Sequence, residues 1–358
     1  MLTFTMALLR FLSGLNRYRI KQPNEIHLPS CPLGPEPREV ILIICGFGPD
    51  KYKQSTQRLC SQAKNIGVFS RILAFNKLSD VPGLDAGKLE AIEALAKTHP
   101  RGWGLWSWKP AVLKAVMDRA PEGAEIFYID SGCEISPYGR DIFIALRGLL
   151  QQHGYLFFSI PFRESDWTAM HVLLKYGIPV DDQTNQIQAT WFGVINTPEW
   201  REFMAFWETG CLQNRGELLV EQRYERHLRN YRLIEHREDQ SILSCLIKSR
   251  SVKSVLLSHL DHFHPDLYYR NSWILLIPVH TSRLSSGFSK IDSLVNTSTV
   301  GGCFIDLIDS NKLKVSRRSA IGLFIKDAVG FARRLMRRRF AFPTRPSGST
   351  DVLTDAEP

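Results

Sequence analysis

Residues Ala124–Glu134 read AEIFYIDSGCE. The run Glu125–Ile129 passes straight into Asp130, Ser131 and Gly132, and Glu134 stands four positions after Asp130. An apolar run that ends abruptly in turn residues predicts a buried strand. Ligands of open α/β sheets sit at the carboxyl ends of the strands, so Asp130 falls where a ligand is expected. A carboxylate, a small residue and a glycine at that edge leave room for a hard divalent cation and a phosphate-bearing ligand. Taken alone, the same spacing also suits an aspartate that closes a turn at the end of a strand.

Working outward, Glu39–Gly48 (EVILIICGFG) predicts a first buried strand with a glycine turn, and Phe69–Phe75 a second. Further strands are expected at Tyr155–Ile160 and Trp191–Ile195. Helical spacing covers Lys53–Gly67, Lys88–Lys97, Pro110–Asp118, Pro198–Thr209 and Ser241–Ser249; the third of these has proline in its first turn, which suits a helix start. The alternation predicts an α/β fold, a mainly parallel central sheet with helices on both faces. Residues 1–37 form an N-terminal segment ending in the Pro-rich Cys31–Pro37, and 38–283 the main domain. A Ser/Thr/Gly-rich extension (284–318), a basic amphipathic helix (319–342) and a polar tail (343–358) are expected to follow.

Of 358 residues 44% are hydrophobic, enough for a large core. The seven cysteines show no metal-ligand spacing, which argues against a zinc site or a disulfide scaffold and suits a reducing compartment. The net charge of +9 is local: Asn311–Arg345 holds 11 Lys/Arg against one acid, Asp327, leaving the remainder near −1. A nucleic-acid surface would need that charge on the core, so nucleic acid is not expected as a partner. Within the basic stretch, Ile321, Phe324, Ile325, Ala328, Phe331 and Leu335 share helical spacing, and Arg333, Arg334, Arg337, Arg338 and Arg339 crowd its end. This predicts an interfacial helix on an anionic membrane surface; a helix packed on the domain with solvated arginines is the other reading. The N-terminal MLTFTMALLRFLSGLNRYRIK is too short to span a bilayer and lacks a small-residue cleavage site, so a retained segment is expected rather than a signal peptide.

Three more segments carry candidate chemistry. Gly102–Pro110, GWGLWSWKP, packs three tryptophans ahead of Lys109; tryptophans stack on flat rings and a lysine pairs with a pyrophosphate as a point charge. His236–Ser241, HREDQS, precedes an apolar helix, where Asp239 could act as an N-cap and where a helix N-terminus favours its charge. Gly46-Phe47-Gly48 holds only two of the three dinucleotide-fingerprint glycines, and Asn65–Ile72 offers no ribose-binding acid. The cluster His259, Asp261, His262 and His264 lacks a rigid metal-binding spacing apart from one i,i+3 pair. A Walker A motif and GxSxG are both missing from the sequence.

GWGLWSWKP, YIDSGCEI and EHREDQS, in that order, resemble a family of bacterial glycosyltransferases of GT-A-like fold that build surface or capsular polysaccharide. The resemblance covers roughly 39–283, with Asp-x-Gly standing where the commoner form has Asp-x-Asp, so that one metal ligand is missing. It implies transfer of a sugar from a nucleotide-diphosphate donor to a surface-glycan or lipid-linked acceptor, at the inner face of the plasma membrane, with Mn²⁺ or Mg²⁺. On this basis Asp239 and Gln240 are the expected catalytic pair. Phe47, Trp106, Lys109, Asp130 and Gly132 would bind donor, and Asp130, Glu134 and His280 would hold the metal. Asp166-Trp167-Thr168 would lie towards the acceptor. No general base stands where an inverting enzyme would place one, which inclines towards retention. A nucleotidyltransferase and a non-catalytic nucleotide-sugar-binding protein at the membrane remain alternatives.

Overall fold

The computed structural model describes residues 38–222, 233–252 and 278–280. The chain divides into two units, Met1–Ile308 and Asp309–Pro358, and every described residue belongs to the first. The N-terminal segment, the histidine cluster at 259–264, and the stretches expected as an extension (284–318), a basic helix (319–342) and a polar tail (343–358) lie outside the described residues.

Strand β1 (Val40–Cys45) is VILIIC, buried at all six positions. It leads into helix α1 (Asp50–Ile66), which is closed by Gly67 at φ 64. Next come β2 (Arg71–Phe75), α2 (Ala86–Thr98), α3 (Trp108–Met117) and β3 (Glu125–Ile129). The chain continues through β4 (Glu134–Ile135), α4 (Arg140–His153), β5 (Tyr155–Leu156), β6 (Ser159–Arg163), β7 (Asn185–Ile187) and β8 (Trp191–Ile195). It closes with α5 (Pro198–Leu212), α6 (Glu238–Ser249) and β9 (Val279–His280).

The central sheet has the order β2-β1-β3-β8-β5. Strands β2, β1 and β3 are parallel, while β8 runs antiparallel to both β3 and β5. The sheet is therefore mixed rather than mainly parallel. Period-two and apolar-run signals report burial, not direction, so the reversal of β8 left no mark in its sequence. The stretch expected as one strand over Tyr155–Ile160 also divides: β5 joins the central sheet, whereas β6 pairs with β7 in a separate ladder.

Alternation along β1 serves two cores, as the pleat requires. Val40, Leu42 and Ile44 pack with Leu59 and Ala63 of α1 and with Phe143 and Leu146 of α4. Ile41, Ile43 and Cys45 belong to the opposite core with Val112 of α3, Phe203 and Trp207 of α5, and Ile242 of α6. Helices thus cover both faces. At the start of β3 the fully buried Glu125 is neutralised by the Arg147 guanidinium, whose Nε and one terminal nitrogen donate at 2.6 and 3.0 Å. Gln151 adds a third donor at 2.6 Å, which satisfies a carboxylate that burial alone would make costly.

Candidate functional site

A cavity of about 410 Å³ opens at the carboxyl ends of β1 and β3. Its walls come from Cys45–Phe47, Asp130–Cys133, the 101–109 segment, Ala189-Thr190 and Arg237–Gln240. The three motifs singled out in the sequence, the third about a hundred residues beyond the other two, meet around one space. Phe47, Trp106, Lys109, Asp130, Gly132, Asp239 and Gln240 all line it.

Lys109 is the junction of this site. Its side chain is only 2% exposed, and its ammonium donates to the Ala189 carbonyl at 3.0 Å. It forms ion pairs with Asp239 Oδ2 at 2.8 Å and with Asp130 Oδ1 at 3.4 Å. The Tyr128 ring sits 5.1 Å away, in cation–π range, and the Tyr128 hydroxyl donates to Asp130 Oδ1 at 2.5 Å. Burial alone would lower the Lys109 pKa; Asp130 and then Asp239 reverse this, and it ends raised. Burial pushes the Asp239 carboxyl up to about 6, against the pull of Lys109. The Cys45 thiol beside them is pushed up by burial and then by Asp130, so it stays protonated.

The tryptophan segment forms an unusual wall. Gly102, Trp103, Gly104, Leu105 and Trp106 all have positive φ, at 59, 52, 89, 58 and 57°. Backbone N–H groups of Leu105 and Trp106 reach the carbonyls four residues back, Arg101 and Gly102, so this is one turn of left-handed helix. Such backbone costs about 1–2 kcal/mol per non-glycine residue and persists only where its surroundings hold it. Here the Trp108 indole N–H donates to the Gly102 carbonyl at 3.0 Å. Phe47 packs against Trp103 and Trp108 at centroid distances of 5.5 and 4.8 Å. Helix α3 then starts at Trp108, two residues before the expected Pro110.

The opposite wall is the first turn of α6. The helix opens at Glu238, with Arg237 in the N-cap position and no side-chain cap. Asp239 therefore lies inside the first turn and is not an N-cap. Gln240 is held at both ends of its amide: Oε1 accepts from the Ala189 N–H at 3.3 Å and Nε2 donates to Gln186 Oε1 at 2.7 Å. Lys109 and Gln240 thereby clamp the two polar groups of one peptide residue, Ala189. His236 Nδ1 accepts from the Ala169 N–H at 3.1 Å, so its Nε2 is the nitrogen that donates to the Leu218 carbonyl at 2.9 Å. Burial lowers the His236 pKa to about 4, and the ring is a neutral strut at physiological pH.

Of the three expected metal ligands, Asp130 lines the cavity. Glu134 and His280 face one another across the β4–β9 ladder, both fully buried and outside the cavity lining. Among the described residues no group of three or more His, Cys, Asp and Glu converges to hold an ion. What the cavity offers is one partly exposed carboxylate, Asp130, with one oxygen already oriented by Tyr128 and Lys109. That fits a site in which a single carboxylate and the phosphates of a ligand share the ion. Asp166, Trp167 and Thr168 do not line the cavity; the Trp167 carbonyl accepts from the Ser241 hydroxyl at 3.0 Å and so anchors α6.

Three contributors escaped the sequence reading. Tyr128 lies two residues before Asp130 at the end of the same strand, a period-two relation that puts both side chains on one face. Arg58, from α1, donates to the Ser131 and Cys133 carbonyls at 3.0 and 2.9 Å and shapes the loop that carries Gly132. Arg101 lines the cavity and pairs with Glu235 and Glu238. For Arg58 and Arg101 no local pattern marks the partner, which lies 73 and 134 residues away.

No family model and no curated protein sequence matches this chain. Among solved structures, mouse xyloside xylosyltransferase 1 in its apo form is similar at a TM-score of 0.33 and 9% identity, over 70% of this chain and 99% of that one. A likeness at that level carries no weight in assigning the residues of the site.

Proposed function

We propose that the cavity binds the nucleoside diphosphate of an activated sugar and that the protein transfers the sugar to an acceptor hydroxyl. The observation that carries this reading is the meeting of the three motifs around one cavity at the carboxyl ends of β1 and β3. Trp106 would offer a flat face to the base or sugar, while Phe47, buried against Trp103 and Trp108, backs the cavity lining. Asp130 would hold a divalent cation, which supplies charge neutralisation for the diphosphate leaving group. In this reading Asp239 accepts sugar hydroxyls or faces positive charge developing at the transferred carbon, and Gln240 keeps the Ala189 wall in place. The acceptor class, a surface glycan or lipid-linked sugar, and a position on the inner membrane face through the basic 319–342 segment belong to the same proposal. Among the described residues no helix is long and apolar enough to cross a membrane.

The test is nucleoside-diphosphate release from a panel of sugar nucleotides, with Mn²⁺, Mg²⁺ or EDTA, for wild type and Asp130→Ala. Release from one donor is expected, reduced on the order of a hundredfold or more by the substitution. Pyrophosphate release would point to nucleotidyl transfer instead. Donor binding without turnover, unchanged in Asp130→Ala, would point to a non-catalytic binding protein.

A further inference from the structure

Three cationic side chains line the cavity among the described residues: Arg101, Lys109 and Arg237. Two of them are already committed. Lys109 is buried among the Ala189 carbonyl, Asp239 and Asp130. The Arg237 guanidinium lies over the Trp167 ring at 4.3 Å and the Phe162 ring at 5.0 Å. Arg101 differs from both. Its side chain is 58% exposed, and its two terminal nitrogens reach separate carboxylates, Glu235 Oε1 at 2.9 Å and Glu238 Oε1 at 3.2 Å.

We propose that Arg101 is the side chain that takes the phosphate groups of the ligand, exchanging Glu235 and Glu238 for them. The proposal rests on a phosphate-bearing ligand occupying the cavity and names the residue that reads it. A guanidinium presents a planar fork that two phosphate oxygens satisfy as well as two carboxylates do. Ion pairs of a half-exposed arginine are weak, so an arriving diphosphate has little to displace. Its partner Glu238 is also a reluctant anion. Its side chain is only 10% exposed, and it is the first residue of α6 at φ 39, a backbone that non-glycine residues rarely adopt. Arg101, Asp239, Glu235 and Arg237 face it, and burial, with Asp239 and Glu235 adding to it, pushes its carboxyl up to about 7. Arg101 itself precedes the left-handed turn whose Trp106 ring lies 5.8 Å from its guanidinium. Strained backbone on both sides of a modest ion pair is the arrangement expected where contacts are exchanged on binding.

Calorimetric titration of the full-length protein with inorganic pyrophosphate, UDP and GDP tests this, using wild type, Arg101→Ala, Arg101→Lys and Glu238→Gln. Arg101→Ala is expected to weaken every diphosphate that wild type binds by about tenfold or more, with partial recovery in Arg101→Lys. At pH 8, where the Glu238 carboxyl is ionised, Glu238→Gln removes the competing charge and is expected to tighten binding severalfold, an effect opposite in sign to damage at the site. Should Arg101→Ala fail to fold, the sign of the Glu238→Gln change decides alone. Wild-type affinity in Arg101→Ala, or unchanged or weakened binding in folded Glu238→Gln, would overturn the assignment while leaving the diphosphate pocket standing. If wild type binds none of the three probes with or without Mn²⁺, the pocket reading and this proposal fall together.

Discussion

Lys109 shows how much one buried charge can organise. Its ammonium holds together the end of β3 through Asp130, the start of α6 through Asp239, and the 189–190 wall through a carbonyl. Replacing it by methionine keeps the volume and removes the charge. Two carboxylates are then left facing each other without a counter-ion, a defect that costs about 3–5 kcal/mol. Urea unfolding of Lys109→Met at pH 7 should show that loss, and the loss should shrink at pH 5, where Asp239, already raised to about 6 in the native protein, takes up a proton. Equal stability of variant and wild type at pH 7 would contradict this account. The identity of Lys109 as a site residue was legible because it follows three tryptophans and precedes a helix-starting proline. That it serves two carboxylates was not legible, since Asp239 lies 130 positions further on.

At the scale of elements, the turn from β1 into α1 forms one rim of the cavity. Gly46 sits there because a Cβ would lie 2.1 Å from Thr56 Oγ1 and 2.5 Å from the Tyr52 carbonyl oxygen. The second contact is with helix backbone, which cannot swing aside as a side chain can. Gly46→Ala is therefore expected to destabilise the fold by about 1–3 kcal/mol and to shift the rim carrying Phe47. Thermal unfolding and quenching of tryptophan fluorescence, through the Phe47–Trp103–Trp108 contacts, would both report it. An unchanged melting temperature with native fluorescence would refute the close-packing account. The glycine turn after the first apolar run was readable from sequence as a turn. The reason for glycine here is the depth to which α1 packs against it, which no local spacing encodes.

For the molecule as a whole, three buried titratable groups tie stability to pH in opposite directions. Glu238 rises from an ordinary 4.5 to about 7 and Asp239 from 3.8 to about 6, so across these windows the folded protein holds more protons than the unfolded chain. Stability from these groups falls as pH rises through them. His236 drops from 6.5 to about 4, so the unfolded chain holds the extra proton and stability falls as pH is lowered through that window. Glu238→Gln should therefore gain stability on wild type as pH climbs from about 4.5 to 7, and the difference should level off above. Chemical denaturation at pH steps across that range measures it, and a pH-independent difference would disprove the assignment. The sequence by itself determined the α/β class, the buried β1 and β3, the helices covering them, and the placement of Asp130 at a strand's carboxyl edge. Burial, periodicity and turn chemistry are local, and a run such as EIFYI followed by DSG states them within a few residues. The tertiary structure alone decided the reversed direction of β8, the left-handed turn at 102–106, the burial of Lys109 between Asp130 and Asp239, and the contact of Arg101 with Glu238. Strand direction, backbone strain and ion-pair choice depend on which distant groups compete for the same space and charge, and that competition exists only once the chain has folded.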